Sequence, residues 1–99
     1  MIRFIKPIEF LWDNGNIDKN LKKHKVNNKE CEEIFSDKNK KIYRDRFHSK
    51  KEARYILLGK TKKKRLLYTV FTIRNQKIRI ISARSQSKKE RKYYAKENN

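Results

Sequence analysis

The chain has 99 residues, with 29 Lys or Arg against 11 Asp or Glu, and its formal net charge at pH 7 is +18. Self-repulsion at this level destabilises a compact fold, so the charge favours a polyanionic partner, with nucleic acid ahead of an anionic membrane surface. The apolar runs exclude a fully disordered chain, yet none is long enough to span a membrane. A lysine-rich surface caused by biased composition, in which Asn is also abundant, is an alternative source of part of this charge.

The single cysteine, Cys31, excludes an internal disulfide and fits a reducing compartment. Its place on an apolar helical face favours a core position over a nucleophile. The N-terminal apolar run is too short for a signal peptide. We therefore expect one cytoplasmic domain over residues 1–99. With only two histidines and one cysteine, we expect neither a metal site nor a cofactor.

The residue pattern of the first half of the chain predicts a strand followed by two helices. Residues 9–12 predict a short strand, which the turn signal at 13–16 ends. A first helix over about 17–24 is predicted from one face with helical spacing, formed by Ile17, Leu21 and His24. Asn27 and Glu30 form a capping box for a second helix, which ends at residues 36–37. Its buried stripe is predicted to be Cys31, Ile34 and Phe35.

The second half predicts a sheet and a final helix. Four strands are predicted, at 41–45, 54–59, 66–73 and 77–83. Asn75-Gln76 makes a tight connection, so the last two strands should form an antiparallel hairpin. Ser87 and Glu90 form a second capping box, which opens a helix to about residue 96. The predicted order is β-α-α-β-β-β-β-α, an α+β fold.

The usual catalytic motifs are absent from the sequence. Two glycines cannot form a glycine-rich phosphate loop, and no carboxylate pair stands out. Catalysis must therefore depend on Arg, Lys, His and Tyr. Such residues suit RNA cleavage, because the substrate's 2′-hydroxyl is the nucleophile and the protein need only bind the phosphate, neutralise charge and move protons.

Arginines near the strand ends are the candidates for binding phosphate. Arg79 and Arg84 lie on or just beyond the last strand. Arg74 ends its predicted hairpin partner, and Arg54 begins another strand of the same sheet. Strict alternation places Arg79 and Arg84 on opposite faces, so they converge only if the strand bulges or ends near Ser82. The alternative is that each is a solvated surface charge.

The remaining candidates are two histidines, a tyrosine and a lysine-rich loop at residues 60–65, which joins the second and third of the four strands. His24 ends the first helix beside Lys23, where it either packs or acts in catalysis. His48 lies in a polar loop, as a general acid or base or as a solvated side chain. Tyr94 either stacks on bases or packs the final helix against the sheet.

The chain resembles the BrnT toxin family over about residues 9–94. The matching positions, in order, are Phe10 to Asp13, Asn20, Lys23, His24, Val26, Glu33, Phe35, His48, Ser49, Glu52, Arg54, Tyr55, Gly59, Ile78 to Arg84, Glu90, Arg91 and Tyr94. The resemblance implies a RelE-like fold, with a twisted antiparallel sheet flanked by helices, and a metal-independent endoribonuclease. It also implies a BrnA-like antitoxin with a ribbon-helix-helix DNA-binding part, through which the complex represses its own operon.

The resemblance and the chemistry together give two sets of site residues. The catalytic candidates are Lys23, His24, Arg54, Arg79 and Arg84. The RNA-binding candidates are His48, Lys62, Lys63, Lys64, Arg65, Arg74, Lys77 and Tyr94. Two alternative functions stay open, a non-catalytic nucleic-acid-binding module and an inactive toxin that acts as a corepressor.

Overall fold

A computed structural model describes residue 4 and residues 6–96. In chain order the elements are α1 (Lys19–His24), α2 (Asn28–Glu33) with a 3-10 turn at Ile34–Ser36, β1 (Lys41–Arg44), β2 (Tyr55–Lys60), β3 (Leu66–Arg74), β4 (Lys77–Ser85) and α3 (Lys88–Ala95). The four strands predicted for the second half are confirmed, as is the α+β class. Among the described residues, none of the helices has the length and hydropathy of a membrane span.

The strands form one antiparallel sheet in the order β1-β2-β3-β4. Asn75 and Gln76 both have positive φ, 49° and 66°, as a tight two-residue hairpin turn requires. The predicted hairpin is thereby confirmed. Both capping boxes are also confirmed, because the side chains of Asn27 and Ser87 each accept a hydrogen bond from the backbone of the glutamate three residues later.

Two apolar clusters lie on opposite faces of the sheet. The α2 face carries the larger cluster, in which Leu57, Leu67 and Phe71 pack with the second helix. Cys31, Ile34 and Phe35 are buried there, as predicted. The α3 face carries a smaller cluster, in which Tyr94 of α3 packs on Ile56, Leu58 and Val70. Helix α3 covers only part of this second face.

A β-bulge in β4 decides which side chains share a face. Phe71 pairs with Ile80, but the preceding Val70 pairs with Ser82, so Ile81 is the extra residue. Arg79 pairs with Thr72 and Arg84 with Tyr68, and these two partners lie four positions apart on β3. Because strand side chains alternate, Arg79 and Arg84 lie on the same face, the α3 face. The condition set by the sequence, a bulge near Ser82, is met.

The segment before α1 pairs with the start of the free edge of β4. Leu11 N–H donates to Ile78 O at 2.8 Å, and Ile78 N–H donates to Glu9 O at 2.9 Å. The strand predicted over 9–12 is therefore reduced to a single parallel bridge, between Phe10 and Ile78. The β4 bulge lies just beyond this bridge, and asparagine side chains bind the edge from there on.

Helix α1 and the turn before it bind β4 through asparagines, and the predicted apolar face of α1 is wrong. Asn16 Nδ2 donates to Ile80 O at 3.0 Å, and Asn20 Oδ1 accepts from Ala83 N–H at 2.9 Å. Asn20 is buried, whereas Ile17 and Leu21 are 45% and 46% exposed. The unpaired edge of β4 needs hydrogen-bond partners, which apolar side chains cannot supply, so Asn16 of the turn and Asn20 of the helix point inward.

Candidate functional site

A polar pocket of about 200 Å³ lies beside β4 at the end of the α3 face that α3 leaves uncovered. Four of its lining residues are cationic, Lys19, Arg54, Arg74 and Arg79, and one is acidic, Glu52. The remaining lining residues are Gly15, Asn16, Ile80 and Ile81. Such an excess of guanidinium groups in a concave site favours a bound anion.

Carboxylates hold two of the pocket arginines in place. Arg79 Nη1 donates to Asp13 Oδ2 at 2.7 Å, and this hydrogen bond lowers the pKa of Asp13. Arg74 binds Glu52 through both Nε, at 2.6 Å, and Nη2, at 3.0 Å, which lowers the pKa of Glu52 and raises that of Arg74. Since a guanidinium has five N–H donors, both arginines keep donors for a ligand.

Arg54 is the pocket arginine without a carboxylate partner. Among the described residues, no carboxylate lies within 4.0 Å of its guanidinium, whereas Arg74 and Arg79 each have one. Its backbone N–H donates to Ser49 Oγ at 3.0 Å, which fixes the start of β2 against the preceding loop. Arg54 therefore supplies positive charge that the pocket itself does not neutralise.

A row of side chains crosses the uncovered end of the α3 face. Arg79 pairs with Thr72, and extending the β2–β3 register by one residue places Arg54 beside Thr72 on its other side. Asp45 continues the row, because its N–H donates to Arg54 O at 2.8 Å. With strands roughly 4.8 Å apart, Arg54 lies about 5 Å from Asp45 and about 10 Å from Arg79 across the sheet.

The β1–β2 loop adds a histidine at the end of this row. His48 Nδ1 lies 3.0 Å from Asp45 Oδ2, and the His48 side chain is 67% exposed. The carboxylate is largely buried, so it holds the imidazole at the solvent edge of the row. This arrangement suits a group that exchanges protons with solvent or substrate.

Arg84 shares the face but not the pocket. It binds Glu90 through both Nη atoms, at 2.8 and 2.9 Å, and its guanidinium lies 3.9 Å from the centre of the Tyr68 ring. The Glu90 pair raises the pKa of Arg84. The β3 partners of Arg84 and Arg79 lie four positions apart, so the two arginines are about 14 Å apart along the strand. Arg84 thus links α3 to the sheet.

Comparison with known families identifies the chain. A family model described as the ribonuclease toxin, BrnT, of a type II toxin-antitoxin system matches residues 12–90. The chain belongs to the BrnT toxin family. A search of curated proteins gave no match. Membership implies a ribonuclease toxin with an RNA target and an antitoxin partner. The matched region includes the pocket arginines, the β1–β2 loop and Glu90.

In this BrnT toxin, the other predicted catalytic residues lie on α1. Lys23 is exposed and stands four residues after Lys19, so it continues the helical stripe that begins at the pocket. His24 is exposed at the last residue of α1, and its carbonyl accepts from Arg65 Nη2 at 3.2 Å. The structure therefore does not bring His24 to the pocket arginines.

The lysine-rich loop lies at the opposite end of the sheet from the pocket. Lys62, Lys63 and Lys64 are exposed between β2 and β3, whereas Arg54 and Arg74 stand at the other ends of these strands. Arg65 has a structural role, because it donates to the carbonyls of residues 24 and 25 and binds Glu30.

The two remaining candidates lie at different depths. Lys77 is exposed and pairs with Arg74, so it extends the basic surface beside the pocket. Tyr94 is buried to 9% exposure, and its hydroxyl donates to Asp37. Burial and this bond raise the pKa of Tyr94. Its burial places it in the packing between α3 and the sheet, which is the alternative to stacking on bases.

Sequence reasoning missed the acidic residues of the site and Lys19. The acids are far from their partners in the chain, with Asp13 and Arg79 separated by 66 positions. The one local signal was the spacing of Asp45 and His48, three residues apart in a loop. Among the described residues, no three His, Cys, Asp or Glu side chains form a group suited to a metal ion.

Proposed function

We propose that this BrnT toxin is a metal-independent endoribonuclease whose pocket arginines bind the scissile phosphate. The observation that carries the proposal is the convergence of Arg54, Arg74 and Arg79 on one uncovered pocket. The β4 bulge leaves Arg84 on the same face as Arg79, so a further cation lies along the strand from the pocket. RNA supplies its own nucleophile, so the protein's task is to orient the phosphate and stabilise charge.

The proposed reaction is an in-line attack within the substrate. The 2′-hydroxyl loses its proton and its oxygen bonds to phosphorus, while the bond from phosphorus to the 5′-oxygen breaks and that oxygen gains a proton. The products are a 2′,3′-cyclic phosphate and a 5′-hydroxyl. Negative charge on the phosphoryl oxygens rises in the transition state, and Arg54 and Arg79 would offset it with charge-assisted hydrogen bonds.

His48 is the proposed proton carrier. Asp45 holds its Nδ1 at 3.0 Å, which leaves Nε2 for the substrate, and the pair ends the row that contains Arg54. Lys23 and His24, the other candidates, are on α1, where Lys23 would contact a neighbouring phosphate. Arg84 would add a second contact along the strand if substrate displaced Glu90.

We also propose the finer features of the toxin-antitoxin system. A ribbon-helix-helix antitoxin would cover the basic face with a complementary, acidic segment, and the pair would bind operator DNA in the cytoplasm. The antiparallel sheet, with α1 along one edge and the arginines on one uncovered face, supports assignment to the RelE-like fold.

The test is cleavage of a single-stranded RNA oligonucleotide by the purified chain, with and without EDTA. We expect undiminished cleavage in EDTA, a cyclic phosphate product and no cleavage where the nucleotide 5′ to the scissile phosphate is 2′-deoxy. The matched control is Arg44→Ala, which removes an exposed arginine on the opposite face. Loss of cleavage in EDTA would contradict metal independence, and intact RNA with folded protein would contradict the enzyme itself.

A further inference from the structure

Phe47 is the most exposed of the large hydrophobic side chains in the described part of the chain. It is 88% exposed, whereas the next, Leu21 and Tyr93, are 46% exposed. Tyr93 also has partners, since its ring meets Tyr43 and Lys41. Phe47 therefore presents nearly its whole ring to solvent, which is costly for an aromatic side chain that has no ligand.

The loop that carries Phe47 is ordered by its own hydrogen bonds. Asp45 accepts from Phe47 N–H at 3.2 Å and from His48 Nδ1 at 3.0 Å. Ser49 Oγ accepts from Arg54 N–H at 3.0 Å, which closes the loop against β2. These bonds hold the backbone on either side of Phe47, and its ring stands in solvent.

The charges around Phe47 favour a polyanion. The exposed neighbours of Phe47 within the loop are all basic, namely Arg46, His48, Lys50 and Lys51. The same loop contributes Glu52 to the wall of the arginine pocket. An apolar pocket on a protein would favour apolar neighbours around its anchor, whereas an aromatic ring among cations is the pattern of single-stranded nucleic acid sites.

We propose that Phe47 is a stacking platform for a nucleobase of single-stranded RNA, adjacent to the phosphate in the arginine pocket. This inference rests on the proposed function and adds a base-binding subsite to it. The loop begins at Asp45, about 5 Å from Arg54 across the strands, so a base next to the bound phosphate is within the reach of the loop. Every base has a π-face, so the subsite accepts more than one base.

The experiment measures binding of an uncleavable, fully 2′-deoxy oligonucleotide and cleavage of the matching RNA. Phe47→Ala should weaken binding by about fivefold or more. About fivefold is the lower end of the range of affinity loss expected when one stacked base is lost. Phe47→Trp should restore binding, and its added fluorescence should be quenched by the oligonucleotide. Phe47→Leu, which keeps apolar bulk without the ring, should behave like the alanine variant.

Two controls separate stacking from folding and from charge. Phe47→Ala should leave the melting temperature unchanged, because the side chain is exposed. It should also leave the salt dependence of binding unchanged, whereas Lys50→Ala should reduce that dependence.

Three outcomes would overturn the inference. Wild-type affinity in Phe47→Ala, or in Phe47→Leu, would exclude stacking. Loss of antitoxin binding with RNA binding intact would assign the ring to a protein interface. A wild-type chain that neither binds nor cleaves RNA would overturn the proposed function together with this subsite, whereas a cleaving wild type with an unaffected Phe47→Ala overturns the subsite alone.

Discussion

The edge of β4 gives a direct test of how α1 is held. Asn20 is 4% exposed, and its Oδ1 accepts from the N–H of Ala83, a residue with no exposed surface. Asn20→Ala removes this acceptor and leaves a buried N–H unpaired. Leu21→Ala, one residue further along the same helix, truncates a side chain that is 46% exposed.

The two variants should differ clearly in stability. An unsatisfied buried donor costs about 1–3 kcal/mol, and each kcal/mol shifts the melting temperature of a domain of this size by roughly 4–8 °C. Asn20→Ala should therefore melt about 5–20 °C below the wild type. Leu21→Ala should stay within about 0.5 kcal/mol of it, as exposed substitutions usually do.

The stabilities of both variants are measured by thermal unfolding, monitored by circular dichroism, and by urea unfolding at 25 °C. The apolar periodicity of the sequence makes the opposite prediction, because a leucine on a buried helical face costs about 2–5 kcal/mol on truncation. If Leu21→Ala proves more destabilising than Asn20→Ala, the amide-mediated docking of α1 is refuted.

Two further predictions concern charge. Arg84 lowers the pKa of Glu90 in the fold, so the stabilising pair is present at neutral pH and is lost as the pH falls through the folded pKa. Urea unfolding between pH 6 and 3 should show that Glu90→Gln loses less stability in acid than the wild type. An equal loss in both proteins would refute a stabilising Arg84–Glu90 pair. Replacing Lys62, Lys63 and Lys64 together by alanine should weaken RNA binding and reduce its salt slope by about 0.7 per lost phosphate contact. The cleavage rate at saturating RNA should not change, because the loop is remote from the pocket, and a large fall in that rate would place the loop in the site.

Local signals in the sequence predicted the elements that depend on local contacts. Each capping box joins residues three apart, and the hairpin turn needs only Asn75 and Gln76 between two apolar strands. These features arise within a few residues, so a single sequence contains their cause. The prediction of an apolar α1 face failed because the buried position is set by a distant part of the chain. The unpaired edge of β4 requires a polar side chain there.

The candidate site was partly predictable for the same reason. Residue chemistry indicated the arginines, and alternation gave the correct condition for Arg79 and Arg84, a bulge near Ser82. The bulge itself depends on pairing between β3 and β4 and could not be read from either strand. The pairing of Asp13 with Arg79 depends on closure of the whole chain, so no local pattern marked it.

Single-turnover cleavage by Arg79→Ala beside Arg44→Ala tests most directly whether the arginine pocket cleaves RNA. We expect the rate constant of Arg79→Ala at saturating enzyme to fall about 100- to 1,000-fold, as for removal of one donor to a developing oxyanion, with Arg44→Ala close to wild type. Equal rates for both variants, with both folded, would contradict the assignment of the pocket as the active site.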